Sequence, residues 1–227
     1  EYININKIDV HNINQKFPLK LKDENYHGVI VKNNILKKLF EVSEKKIDIY
    51  KSRVVSTKHD DFYRYLVLND GTKIKTSLVI SADGNSSTLR ELSKIKYVNH
   101  DLNHTIISGY LNCNKIDIHT AKQLFLEDSF IGLLPINKNL INFVWSLDKN
   151  VLKQSEEKFN YFNEISKRLN VFFHKEKFKF RSPKTNNLKI KSLQIYPLKV
   201  KFVRIPYKER IALIGDAAHT IHPLAGQ

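Results

Sequence analysis

The side chains in this 227-residue chain best placed to do chemistry are two aspartates, each next to a glycine at the end of an apolar run. Asp83-Gly84 follows Leu78-Val79-Ile80-Ser81-Ala82, and Gly215-Asp216 follows Ile211-Ala212-Leu213-Ile214. A short apolar run bounded by turn residues reads as a buried strand of a parallel sheet. Open α/β sheets bind ligands beyond the carboxyl ends of such strands. A glycine there lets the backbone turn tightly and lets a ligand approach it. After Gly84, Ser86–Leu92 reads as a short helix whose first amides can face a pyrophosphate. Other chemistries have less support. His219 and His222 have the spacing of one helix turn, but no third ligand of fitting spacing accompanies them, so no metal is expected. Ser87 lacks a nucleophile-elbow context, so hydrolase chemistry is not expected. Cys113 is the only cysteine; it excludes an internal disulfide framework and reads as a small buried strand residue. No catalytic acid or base is assigned.

These groups need a scaffold, and the pattern of the chain outlines one. From Asn33, the residues Ile35, Leu36, Leu39 and Phe40 follow helical spacing. Ile47–Tyr50 reads as a strand. A meander follows, with strands Arg53–Lys58 and Tyr63–Leu68 and then Lys73–Ser81, which Asn69-Asp70-Gly71-Thr72 turns. Beyond Tyr97 the texture changes. Thr105–Cys113, Ala121–Glu127, Phe130–Pro135 and Leu140–Leu147 read as successive strands of an antiparallel sheet. Leu152–Arg168 reads as an amphipathic helix, and Lys189–Tyr196 and Lys201–Ile205 as two further strands. The organisation is one domain interrupted by another: 1–95 and 208–227 share a sheet, and 97–206 form an inserted β-rich layer.

The string Gly215-Asp216-Ala217-Ala218-His219-Thr220-Ile221-His222-Pro223-Leu224-Ala225-Gly226-Gln227 resembles the second flavin-binding motif of the class A flavoprotein aromatic hydroxylases. Asp83-Gly84, with Ser87 and Arg90, resembles the Asp-Gly motif of the same family. Three shorter stretches resemble its ubiquinone-biosynthesis hydroxylases: Gly28–Asn33 before a leucine helix, Gly132-Leu133-Leu134-Pro135 with Phe143-Val144-Trp145-Ser146, and Tyr196-Pro197-Leu198. The resemblance implies an α/β fold: an FAD/NAD(P)-binding, Rossmann-like domain of the para-hydroxybenzoate-hydroxylase type, with an inserted antiparallel β-rich substrate domain. It implies FAD and NAD(P)H as cofactors. The cofactor-binding residues it implies are Asp83, Gly84, Ser87, Arg90, Gly215, Asp216, Ala217, His219, Pro223, Gly226 and Gln227, with Asp216 on the ribityl chain. Leu133, Phe143, Trp145 and Pro223 would face the substrate. The implied reaction hydroxylates a phenolic ring with dioxygen, the ring being a polyprenylated phenol of ubiquinone biosynthesis. A related flavin hydroxylase, reductase or halogenase acting on another substrate, or an inactive fragment, is the alternative. The family's opening strand–Gly-x-Gly-x-x-Gly–helix is absent, and the chain stops inside the second motif. With no methionine in the sequence, these residues are expected to be a piece of a longer protein.

The net charge is +15 at pH 7. Its lysines are spread along the chain rather than gathered in a stripe, so a nucleic-acid partner is not expected. No apolar run approaches the roughly 20 residues that span a bilayer. A cytoplasmic location is expected. The implied lipid-tailed substrate adds peripheral contact with the inner membrane, which the basic charge can assist, and a complex with other ubiquinone-biosynthesis enzymes.

Overall fold

The computed structural model describes residues 2–15, 17–22, 28–31, 33–44, 46–114, 116–150, 161–173, 180–181 and 193–220. It divides into two compact units. One holds residues 1–42, 103–198 and 223–227, the other 43–102 and 199–222. Strands β1 (Tyr2–Ile5), β2 (Lys7–Asn12), β3 (Leu19–Lys22) and β4 (Gly28–Val31) and helix α1 (Asn33–Glu44) come first. Then follow β5 (Val54–His59), β6 (Arg64–Leu68), β7 (Lys73–Thr76), β8 (Val79–Ser81) and α2 (Thr88–Leu92). The middle of the chain forms β9 (Val98–Cys113), β10 (Thr120–Phe125), β11 (Ser129–Asn137), β12 (Leu140–Asp148) and α3 (Tyr161–Phe172). The last elements are β13 (Phe180–Arg181), β14 (Gln194–Phe202), β15 (Tyr207–Lys208), β16 (Ile211–Leu213), a 3-10 turn at Gly215–Ala217 and β17 (His219–Thr220).

In the first unit, β9, β12, β11 and β10 pair antiparallel in that spatial order. The four strands expected beyond Tyr97 therefore form, and β2 extends the sheet by pairing parallel to β10. That parallel pairing places residues 1–42 with the middle of the chain, where the sequence pattern grouped them with 208–227. Side chains alternate across a strand, and one face of this sheet closes against α3. Ile107, Leu111, Ile131, Leu133, Ile141, Phe143, Trp145 and Leu147 pack there with Ile165 and Leu169 of the helix. The Arg168 guanidinium lies 5.4 Å from the Trp145 ring centre and is held by Asp128 and Glu164, each at 2.8 Å. Cys113 borders this core, and burial pushes its thiol up to about 11.

Gly109 on β9 is where a sheet residue can carry no side chain. A Cβ there would meet Leu193 at 2.8 Å and the Phe143 ring at 3.0 Å. The leucine end can swing away, but the phenylalanine is fully buried. Gly109→Val is expected to lower the unfolding free energy by about 1–3 kcal/mol, the usual cost of overpacking. The shift in urea midpoint measures it, and an unchanged midpoint would contradict this packing.

In the second unit, β5–β6–β7 form an antiparallel meander. Asp70 accepts from the Thr72 amide at 2.9 Å, and Gly71 takes φ +86°, which closes the expected turn. The long strand expected over Lys73–Ser81 breaks into β7 and β8, where the Thr76 hydroxyl donates to the Leu78 carbonyl at 2.9 Å. Residues 47–50, expected as a strand, are irregular and carry exposed Ile47, Ile49 and Tyr50. Expected strands around Tyr196 and Lys201 merge into β14, and the first half of the expected helix 152–168 lies outside the described residues. Strand β16 pairs parallel with β8 and antiparallel with β15. Glu209 and Arg210 connect β15 to β16 at φ +43° and +63°, a turn geometry that usually recruits Asn or Gly. Arginine side chains hold it. Arg64 donates to the Glu209 carbonyl at 2.8 Å, and Arg210 donates to the carbonyls of Asp61 and Ser77. Among the described residues, no helix is long and apolar enough to cross a membrane.

Candidate functional site: paired Asp–Gly turns at parallel strand ends

Both motif aspartates fall at the carboxyl ends of neighbouring parallel strands. Ile211, Ala212 and Leu213 pair with Val79, Ile80 and Ser81, so the turns after β8 and β16 emerge side by side. Val79, Ile211 and Leu213 share a core with Leu66, Leu89 and Ala217. Gly84 and Gly215 take φ +78° and +56°, and no atom lies within 4 Å of where a Cβ would sit on either. These two positions use the freedom of glycine and leave backbone open to a ligand.

The two aspartates differ in what they hold. Asp83 is committed to the protein. It accepts from the Ser81 hydroxyl at 2.6 Å and from the Leu89 amide at 3.1 Å. Burial pushes its carboxyl up, but the hydrogen bonds from Ser81, Ser87 and the Leu89 amide outweigh that and hold it below the usual carboxylate value. Ser87 is fully buried and caps α2 by accepting from the Arg90 amide at 3.0 Å. Asp83 and Ser87 thus satisfy two of the amides that a helix start leaves open. By contrast, Asp216 is exposed, and no described residue donates to its carboxylate. Ala217 is buried in the core and His219 is exposed on β17.

Arg90 ties the two turns together. It is 1% exposed. One guanidinium nitrogen donates to the Ala217 carbonyl at 2.9 Å and another to the Asn85 carbonyl at 2.8 Å. Its plane lies 4.4 Å from the Tyr97 ring centre. Arg90 Nε and Asn85 Oδ1 are buried without a partner among the described residues. Open backbone at two glycines, an uncommitted carboxylate and two unsatisfied polar atoms fit a polar, hydroxyl-bearing cofactor such as FAD.

A depressed carboxyl pKa stabilises the fold above the unfolded-state value, and that contribution is lost as pH falls through the folded-state value. For Asp83 the loss falls below about pH 3.8. Because this carboxylate is exposed to solvent, its electrostatic part is screened. Asp83→Asn is expected to cost about 1 kcal/mol at pH 7, as for a lost cap, and to flatten the stability profile below pH 4. Parallel acid limbs for the two proteins in urea titrations would contradict the capping role.

Leu133, Phe143 and Trp145, expected against the substrate, lie instead in the core beneath α3, at 3%, 0% and 0% exposure. The register places them on the helix-covered face, because alternate residues of one strand share a side. On the other face Ser108, Val144, Gln123, Tyr110, Asn142 and Leu134 are half-buried and Gly132 is buried. In register they form two rows, Ser108–Val144–Gly132–Gln123 and Tyr110–Asn142–Leu134. Pro223, Gly226 and Gln227 lie outside the described residues. Motif reading did not single out Ser81, Asn85, Tyr97 or Lys201, all of which touch the paired turns or Arg90. Ser81 and Asn85 stood inside the Asp-Gly motif stretch, without a role of their own.

The family model described as "FAD binding domain" matches residues 11–227. A ubiquinone biosynthesis monooxygenase COQ6 of Xenopus tropicalis is 28% identical, over 88% of this chain and 51% of its own length. A ubiquinone hydroxylase UbiM of Neisseria meningitidis is 28% identical, over 87% of this chain and 42% of its own. The chain thus spans about half the length of the curated relatives it matches. Among solved structures, the flavin-dependent halogenase CmlS shares the fold with a TM-score of 0.74 at 15% identity, over 100% of this chain and 43% of its own. HpxO of Klebsiella pneumoniae, in an R204Q variant complexed with FAD, does so with a TM-score of 0.61 at 14% identity, over 98% and 60%.

Proposed function

The chain belongs to the FAD-binding domain family, as its resemblance to the class A flavoprotein hydroxylases implied, and from that premise we propose that the whole protein is an FAD-dependent monooxygenase. Its substrate is a phenolic ring, and its reductant is NAD(P)H. The relatives named for ubiquinone biosynthesis favour a polyprenylated phenol. The observation that carries the reading is the pair of parallel strand ends, where Asp216 presents an uncommitted carboxylate beside two glycines open to solvent. Bound there, the flavin supplies the redox chemistry that activates dioxygen.

The residues divide the remaining work. Asp216 accepts hydrogen bonds from cofactor hydroxyls, and Gly84 and Gly215 let backbone approach the cofactor closely. Asp83, Ser87 and Arg90 act behind them, holding the two turns in register. Ala217 anchors the second turn in the core, and His219 starts the strand that follows it. Pro223, Gly226 and Gln227 continue that motif. For the substrate we assign the sheet face opposite α3. Tyr110, Asn142, Ser108, Gln123, Val144 and Leu134 offer a mixed surface with polar groups to orient a ring and apolar groups to exclude water. A prenylated substrate would bring the enzyme to a membrane surface, and the net charge of +15 favours an anionic one.

The test uses the whole protein, loaded with FAD, with NADH or NADPH and either a prenylated or a soluble phenol. The expected result is NAD(P)H oxidation that depends on the prenylated phenol and yields one hydroxylated product per reductant consumed. Bound flavin with no hydroxylation of either phenol would overturn the substrate class. A protein that takes up no flavin would overturn the reading itself.

A further inference from the structure

Lys201 lies on β14, outside both motifs, yet its ammonium donates to the Asn85 carbonyl at 3.0 Å. That oxygen is the one Arg90 also holds, at 2.8 Å. Two cations therefore converge on one backbone acceptor in the loop just after Asp83-Gly84. The Tyr97 ring lies against both of them, 4.4 Å from the Arg90 guanidinium carbon and 5.4 Å from the Lys201 nitrogen. The negative face of an aromatic ring stabilises such cations, which offsets the repulsion between them.

Backbone pairing links the same residue to the second turn. Lys201 is in register with Thr220 and Phe202 with His219. The Val203 amide donates to the Ala218 carbonyl at 3.0 Å. The strand carrying Lys201 is thus bonded to the segment immediately after Gly215–Ala217, and its side chain reaches the loop after Gly84. Lys201 and Arg90 hold the two turns from different elements of the chain.

We propose that Lys201 is a positioning residue for the cofactor, its ammonium fixing the Gly84–Ser87 loop against the Gly215–Asp216 turn through the Asn85 carbonyl. The proposal rests on the reading of these turns as the FAD site. It does not place Lys201 in contact with the flavin. The charge matters because an ammonium makes a stronger hydrogen bond than a neutral amine. Burial pushes the Lys201 ammonium below the ordinary lysine range, and Arg90 and Lys199 push the same way against Glu91. The groups facing Lys201 are therefore Arg90 and Glu91 of α2, Lys199 of its own strand and Tyr97.

The experiment titrates FAD into the flavin-stripped whole protein and follows flavin fluorescence, from about pH 7 to about pH 10. Wild type is expected to lose affinity as pH rises and Lys201 gives up its proton. Lys201→Met is expected to bind FAD about tenfold more weakly at pH 7, as for a lost charged hydrogen bond, with little further change on raising pH. Lys201→Arg is expected to restore affinity at pH 7 and to remove the alkaline loss. Lys199→Met removes a charge that pushes Lys201 down, so it is expected to keep wild-type affinity at pH 7 and to move the alkaline loss to higher pH. Wild-type affinity and an unchanged profile in Lys201→Met would overturn the proposal, as would an alkaline loss that persists in Lys201→Arg. If Lys201→Met does not fold, the wild-type and Lys201→Arg profiles still decide it. Wild type that binds no FAD at any pH would overturn the cofactor reading, a result distinct from failure of the lysine variants alone.

Discussion

Replacing Arg90 with methionine is expected to lower the unfolding free energy of the protein by about 2–4 kcal/mol and to weaken FAD binding with it. Methionine matches much of the volume but donates nothing. The Ala217 carbonyl then loses its guanidinium donor, and the Asn85 carbonyl keeps only Lys201. A buried acceptor left without its donor costs about 1–3 kcal/mol, and the contact with Tyr97 is weakened as well. The neighbouring Glu91, at 3.6 Å and largely exposed, adds little. Lysine at this position is the informative second variant. It keeps the charge, but a single ammonium lacks the planar fork that reaches two carbonyls at once. Arg90→Lys is therefore expected to recover less than half of the lost stability. Urea unfolding of the three proteins measures the first effect, and flavin titration the second. If Arg90→Met unfolds at the wild-type midpoint, the tie between the turns is not what holds them.

Arg90 also shows what a motif can and cannot say. Its presence three residues after Ser87 was legible, and so was the strand–turn–helix around it. The residues it would hold were not. Ala217 is 127 positions away in sequence, and no local pattern connects them. The same limit explains Lys201 and Tyr97. In a chain with 38 lysines and arginines, nothing marks one lysine as facing a backbone carbonyl. A parallel-sheet strand before Gly215-Asp216 was readable because Ile211–Ile214 is short, apolar and followed by that turn, but its pairing with β8 was not. Nor was that of β2 with β10, since Lys7–Asn12 alternates as an antiparallel edge strand would.

The substrate face shows a different limit. Leu133, Phe143 and Trp145 stood out because they are large and apolar, and that same property sends them to the core under α3. Period-two alternation fixed which residues share a face, but not which face a helix would cover. The amphipathic stretch after Leu152 signalled that some face would be covered. Its contact with Trp145 through Arg168 became visible only in three dimensions.

Asp216→Ala is expected to separate cofactor binding from folding more cleanly than any other substitution here. The carboxylate is exposed, and no described residue donates to it. Removing it should therefore change stability by no more than about 0.5 kcal/mol, as for an ordinary surface position. The backbone of the turn should persist, because it is held by the Ala218 amide on the Gly215 carbonyl at 2.9 Å and by Arg90 on Ala217. The effect on FAD should be large. A hydrogen bond to a charged acceptor contributes about 1.5–3 kcal/mol, so affinity is expected to fall by roughly tenfold to 150-fold. Asp216→Asn keeps one acceptor oxygen without the charge and should fall between alanine and wild type. The comparison with Arg90→Met gives the result its meaning. The arginine variant is expected to lose stability and flavin together, whereas the aspartate variant should lose flavin alone. Flavin affinity from fluorescence titration, beside urea midpoints of the same preparations, supplies both readings. An Asp216→Ala protein that binds FAD like wild type would remove this carboxylate from the cofactor site. One that unfolds several kcal/mol more easily would make it a structural residue like Asp83.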